Sequence, residues 1–304
     1  MTAQLKKALR DHHIAGLKTR PARALIGWMP QQEAQVFLSL PPTPPAPQAK
    51  LAKRIREAHA AVRARAGGVD QEGALREPTE ELRGYLDEFR EHPNCKPYLA
   101  GGCTFKIANL NQICALQPIA HSDYLDRSEL PRDLAEDARQ DDMLSLARIT
   151  LPLHLPGELP VQFDSGKNAW KVRTKNPGAR TMGHFRARVE LAPGLFAMGF
   201  GFCVALLPSF VQVVGYRGRY FLKDGYHRSL AFLQNGIARV PVILQEHSEA
   251  QKLEVEGRFS DEKLLGLHPP LLSDYLRDDV AASGFHLVAE KNITIHASEN
   301  LKWG

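Results

Sequence analysis

Asp224-Gly225-Tyr226-His227-Arg228-Ser229 places a carboxylate, a glycine, an imidazole, a guanidinium and a hydroxyl within six residues. These are groups that hold phosphate esters. An Arg offers a fork of donors matched to phosphate oxygens. A Gly lets the backbone come close to an anion. A carboxylate beside phosphates repels them unless a divalent cation sits between, so Asp224 is a candidate Mg²⁺ ligand or a group that positions a nucleophile. As an N-terminal cap, Asp224 would instead accept backbone N–H bonds. His227 could move a proton or hold a phosphate oxygen. Ser229 fits a local or phosphate hydrogen bond better than a nucleophile.

The surrounding residues supply the scaffold. Phe210–Val214 and Tyr220–Lys223 read as a hairpin around Gly215–Arg219. A helix then runs to Asn235 with Leu230, Leu233 and Ile237 on one face, and Gly236 stops it. Val240–Leu244 closes the unit as a strand. The turn therefore falls where a helix starts, with its unbonded N–H groups and the positive end of its dipole.

The run Asp224-Gly-Tyr-His-Arg228, the apolar helix, Asn235-Gly236-Ile237 and Val240-Pro241-Val242 resemble the ParB/sulfiredoxin superfamily, over roughly residues 209–244. There a Gly-x-x-Arg turn after a hairpin cradles the phosphates of CTP, ATP or ADP. The resemblance implies a small mixed β-sheet of that type and a nucleotide cradle of Gly225, Tyr226, His227, Arg228 and Ser229. The free serine kinases of the superfamily carry an Asp before the Gly, as Asp224 stands here. They also direct attention to an upstream carboxylate base, for which Glu190, Asp164 and Glu158 are candidates. Tyr226 stands where sulfiredoxins have their catalytic Cys, which excludes sulfinic-acid reduction. His227-Arg228 replaces the paired Arg of ParB, and no helix-turn-helix pattern follows.

Other constellations weigh less. Arg173, Lys175 and Arg180 surround the turn Asn176-Pro177-Gly178, with His184 nearby, and read as a solvated basic loop. His92, Cys95, Cys103 and Cys114 are spaced too irregularly for the tight pairs of a zinc site. No nucleophile elbow, His-Glu-x-x-His or Walker pattern occurs.

With 304 residues, 43% apolar and 24% charged, the chain has the composition of a soluble globular protein. A net charge of +5 permits acidic partners without requiring them. Four scattered Cys suggest reduced thiols and a cytoplasmic location. No apolar leader follows Met1. Leu191–Tyr216 carries no charge, but Pro and Gly interrupt it. It reads as a buried helix near Leu195–Leu206 followed by a strand rather than as a membrane span, so no membrane partner is expected.

The expected class is α+β. Residues 1–100 read as a helical N-terminal region with a Pro-rich break at 41–47. Residues 101–250 form the nucleotide-binding domain, and 251–304 a C-terminal helical extension with one late strand near Asn292–His296. Gln48–Ala66 is a basic helix whose six cations against Glu57 give +5. Glu77–Glu91 is an acidic helix expected to pack antiparallel to it. Leu130–Ala147 and Ser273–Ala282 are further expected helices, and Phe185–Leu191 a half-exposed strand. Two functions follow. One is a nucleotide- and Mg²⁺-dependent phosphotransferase or NTPase with Asp224, His227 and Glu190 as catalytic candidates. The other is a nucleotide-responsive DNA-binding or scaffolding protein that contacts nucleic acid through residues 50–65. A nuclease is a weaker third. A homodimer is compatible with each.

Overall fold

The computed structural model describes residues 19–41, 46–93, 95–122, 142–153, 159–174, 179–206, 208–249, 253, 257–287 and 291–296. The strands are β1 (Thr19–Ala24), β2 (Leu75–Arg76), β3 (Thr104–Asn109), β4 (Cys114–Ala115), β5 (Ile119–His121), β6 (Val161–Asp164), β7 (Ala169–Thr174), β8 (Ala179–Ala192), β9 (Leu195–Leu206), β10 (Gln212–Tyr216), β11 (Arg219–Asp224), β12 (Arg239–His247), β13 (Ala282–Leu287) and β14 (Lys291–His296). The helices are α1 (Gln31–Leu38), α2 (Gln48–Arg63), α3 (Arg83–Glu91), α4 (Lys96–Ala100), α5 (Met143–Thr150), α6 (Tyr226–Gln234) and α7 (Asp261–Leu265). The protein is thus mixed α+β with several small sheets. It divides into one unit of residues 1–153 and 210–288, and a second of 154–209 and 289–304.

In the first unit a six-stranded sheet runs β2-β3-β12-β10-β11-β4. β10 and β11 form the expected hairpin, and β12 returns parallel to β10 after α6. Alternation along the strands divides the apolar residues between the two faces. Val240, Val242 and Leu244 of β12 join a large core with α6, while Ile243 joins Phe105, Ile107, Leu86, Phe89 and Phe210 in a second core. A separate sheet, β13-β1-β5, is antiparallel throughout. Two ends of the sequence therefore meet as neighbouring strands, with Ala22 opposite Gly284.

This arrangement departs from the expected organisation. Thr19–Ala24 is a strand, and Ala22, Ala24, Ile26, Phe37 and Ile55 lie in the large core, so the residues before 100 are not a separate helical region. The segment after 251 is not helical throughout: Leu272–Leu276 is a 3₁₀ turn, and Ala282–Leu287 and Lys291–His296 are strands. The basic and acidic helices serve different cores. α2 buries Ile55, Ala58 and Val62 in the first, and α3 buries Leu86 and Phe89 in the second. Arg65, just beyond α2, forms a two-point pair with buried Asp274, at 3.0 and 2.6 Å, and lies 4.7 Å over the Trp28 ring. Burying apolar stripes on separate surfaces outweighs a solvent-exposed attraction between helices. Residues 1–18, most of the 130–147 segment and the turn at 176–178 lie outside the described residues.

The second unit holds a three-stranded antiparallel sheet, β14-β7-β6, and a long two-stranded ribbon, β8-β9. Leu195–Leu206 is therefore a strand of 12 residues and not a buried helix. β-branched and aromatic residues with Gly199 and Gly201 suit a pleated ribbon better than a helix. Among the described residues no helix is long and apolar enough to cross a membrane.

Candidate functional site

The hairpin ends at Asp224, and Gly225 turns the chain into α6. Gly225 is the N-cap, with φ 91° and ψ 20°, a left-handed conformation that favours glycine. A Cβ there would fall 2.8 Å from Val211 Cγ2 and 2.9 Å from Val211 Cα. Gly225 is thus required by its backbone angle and by Val211. That differs from the expected reason, close approach of a phosphate. The Gly225 N–H donates to Asp224 Oδ1 at 2.7 Å. Asp224 therefore braces the turn rather than acting as the helix N-cap.

The first helical bond of α6 runs from Ser229 N to Gly225 O, 3.0 Å. The N–H groups of Tyr226, His227 and Arg228 come before it, at the positive end of the helix dipole. Ser229 is fully buried, and its Oγ has no hydrogen-bond partner among the described residues. An orphaned buried hydroxyl costs about 1–3 kcal/mol.

The side chains divide by task. The Tyr226 hydroxyl accepts from Leu116 N (2.7 Å) and Gln117 N (3.1 Å) and donates to Leu222 O (3.0 Å). Its ring packs edge-on to Tyr275, whose hydroxyl donates to Gln117 O at 2.7 Å. Tyr226 is a tie between the hairpin and residues 116–117, so its hydroxyl is committed to backbone and not to a ligand. Burial raises its pKa, which keeps it neutral. Arg228 is half-buried and donates to Ile149 O, 2.8 Å, in the last turn of α5. There it satisfies a carbonyl at the negative end of that helix. Burial pulls its pKa down and the Asp224 carboxylate pushes it back up. Arg228 sets the turn against α5 as well as bringing charge to it.

His227 is exposed, and it is not alone. Its ring lies 6.2 Å from that of His121, and His121 lies 5.6 Å from His286. His121 ends β5 and His286 sits in β13, on either side of β1, opposite Ala22 and Arg20 respectively. Burial lowers the His286 pKa. The turn thus opens onto a row of three imidazoles. Sequence reasoning missed His121 and His286, because lone histidines in separate strands carry no local signal. On another side of Asp224 lies Tyr98 of α4. Burial raises the Tyr98 pKa, the Asp224 charge adds to the rise, and a hydrogen bond to Gln212 opposes it.

The carboxylate candidates upstream have local partners. Glu190 belongs to the second unit, where its Oε1 accepts from Gly194 N at the ribbon turn, 3.2 Å. Asp164 pairs with Lys171 at 2.5 Å. Glu158 lies outside the described residues. Among the described residues no three His, Cys, Asp or Glu are grouped to hold a metal. Cys95 and Cys114 are buried in different cores, and burial pushes their thiols up to about 11 and about 12. Asp224 is the one carboxylate of the turn, which fits Mg²⁺, an ion that takes one or two carboxylates and completes its shell with water and phosphate oxygens.

No family model, curated protein or solved structure matches this chain. The ParB/sulfiredoxin resemblance therefore rests on residues 209–244 alone.

Proposed function

We propose that the first unit binds a nucleotide (ATP, ADP or CTP) through the turn 224–229 and acts as a phosphotransferase or NTPase on the ParB/sulfiredoxin plan. The observation that carries this reading is the turn itself. A left-handed Gly opens α6 with its first N–H groups beside Asp224, the orphaned Ser229 hydroxyl and the His227–His121–His286 row.

The α6 N–H groups bind phosphate oxygens, as helix starts do. Asp224 would hold Mg²⁺, which would supply neutralisation of the phosphate charge, and orient the acceptor oxygen. His227 is exposed enough to accept the acceptor's proton. Arg228 holds the turn on α5 and adds positive potential to it.

A thermal-shift series with ATP, ADP and CTP, with and without Mg²⁺, tests binding, since ligand at 100 times its Kd adds about 2.7 kcal/mol. Phosphate release or transfer by Asp224→Asn then tests the chemistry. Nucleotide binding should persist while turnover collapses. Equal turnover in both proteins would remove Asp224 from the mechanism, and no shift with any nucleotide would remove the reading.

One observation favours a second function, a nucleotide-responsive nucleic-acid-binding protein. Lys50, Lys53, Arg56 and Arg63 are exposed on α2. Lys53 also pairs with Glu57 at 3.8 Å on the same exposed face, while Arg54 is committed to carbonyls of 278–281 and Arg65 to Asp274. Nucleotide binding without turnover, with salt-dependent DNA binding lost on neutralising those four cations, would support it. Sedimentation with and without nucleotide tests the homodimer.

A further inference from the structure

The second unit carries a feature that neither reading uses. Of the large apolar side chains exposed among the described residues, all but Leu267 lie in β6, β7, β8 or β9. Single exposed apolar residues are ordinary, but a contiguous set marks a binding surface. Five of them, Phe163, Trp170, Phe185, Phe200 and Phe202, line a cleft of ≈ 810 Å³, within the range of ligand sites. One wall is a face of the three-stranded sheet, where Phe163 and Trp170 are cross-strand partners with ring centroids 4.9 Å apart. The other is a face of the ribbon, where His184 pairs with Phe202 and Arg186 with Phe200.

Two properties say what the cleft takes. Its walls are flat rings, and they are open: Trp170 is 52% exposed and Phe200 75%. Aromatic faces presented in this way stack planar ligands, and nucleobases stack on them at about 1–3 kcal/mol per base. Its lining also carries a cation. Arg186 is the cation of its lining, and among the described residues no carboxylate pairs with it. A flat apolar ligand alone would leave Arg186 without a counter-charge. Charge and shape together require a planar ring attached to an anion.

From this we infer that the cleft of the second unit binds a nucleobase with its phosphate, by stacking on Trp170 and Phe200 and pairing with Arg186. The ligand reaches it as part of a single-stranded nucleic acid or as a free mononucleotide. This site is independent of the turn at 224–229.

The full-length protein is titrated with a fluorescein-labelled single-stranded dT12 and, separately, with AMP and UMP, and anisotropy and tryptophan fluorescence are followed. The cleft should bind dT12 or a mononucleotide with quenching of Trp170. Trp170→Phe should keep binding and lose the quenching, which assigns the signal to this unit. Phe200→Ala, at an exposed position, should weaken binding by about tenfold or more. Arg186→Gln should reduce the slope of log K against log salt for dT12 by about one. Binding of dT12 much tighter than that of AMP and UMP identifies a strand as the source; equal binding identifies the free nucleotide. The inference is overturned if neither probe binds. It is equally overturned if Phe200→Ala leaves binding unchanged, if Trp170→Phe keeps the quenching, or if the protein instead floats with anionic-lipid vesicles or self-associates through the ribbon without binding either probe. Loss of nucleotide turnover in Asp224→Asn bears only on the first unit and leaves this result untouched.

Discussion

Replacing Gly225 with Ala separates packing from ligand approach at the centre of the turn. The added methyl group would meet Val211 Cγ2 at 2.8 Å and Val211 Cα at 2.9 Å. The side-chain contact could be relieved by rotation, but the backbone contact could not. Val211 N donates to Thr150 O (2.8 Å) and Val211 O accepts from Ile243 N (3.1 Å), so this segment is held from both sides. The left-handed angle costs a non-glycine residue about 1–2 kcal/mol, and overpacking a fixed neighbour adds about 1–3 kcal/mol. The expected loss is therefore about 3 kcal/mol, a fall in Tm of about 6–12 °C for a unit of this size. Urea unfolding measures it. Val211→Ala in the same chain removes Cγ2 but not Cα, so it should restore only part of the loss. A loss below about 0.5 kcal/mol, or full restoration by Val211→Ala, would refute the reasoning. If stability were unchanged and only nucleotide affinity fell, Gly225 would be serving the ligand after all.

Tyr226→Phe should cost about 2–4 kcal/mol in urea unfolding, because it orphans two buried donors and an acceptor at residues 116, 117 and 222. Asp274→Ala leaves Arg65 without its 2.6 Å partner and Leu271 N without its acceptor, and should cost about 3 kcal/mol; the apolar pair Arg65→Met with Asp274→Leu should recover only part of that in the same assay, because Leu271 N stays orphaned. Stability should also depend on pH through His286. Burial lowers its folded pKa below the ordinary imidazole value of 6.5, so the unfolded chain binds more protons. Stability is then full above about pH 7 and falls as pH drops through the imidazole range. His286→Gln should flatten the slope between pH 8 and 5, and an unchanged slope would reject the assignment.

The strand–turn–helix–strand around 220–244 was readable because its signals are local: alternation, a Gly entry, a Gly stop and a Val-Pro-Val exit. The acidic α3 and the strands at 169–174 and 291–296 were readable for the same reason. Leu195–Leu206 was not, because an unbroken apolar run has no polar residues to set its period. Its company in β8 is decided by pairing and not by its own residues. The roles of Arg228 and Tyr226 were also hidden. A sequence places them in a turn, but only the fold brings Ile149 O and the 116–117 backbone to them. The His121–His286 pair depends on β1 lying between two strands more than 150 residues apart, which no spacing rule encodes.

The bond from Val211 N to Thr150 O has one more consequence. It closes the chain immediately outside the 154–209 excursion, so the first unit meets that excursion as a clasped loop whatever the loop contains. The entropy of closing such a loop rises only with the logarithm of its length, about 0.6 kcal/mol for each doubling. Evolution can therefore lengthen or trim what lies beyond the clasp at little thermodynamic penalty to the body that carries it, so long as β7 remains to pair with β14. Position 150–211 is a port at which this fold can acquire a new module without being redesigned.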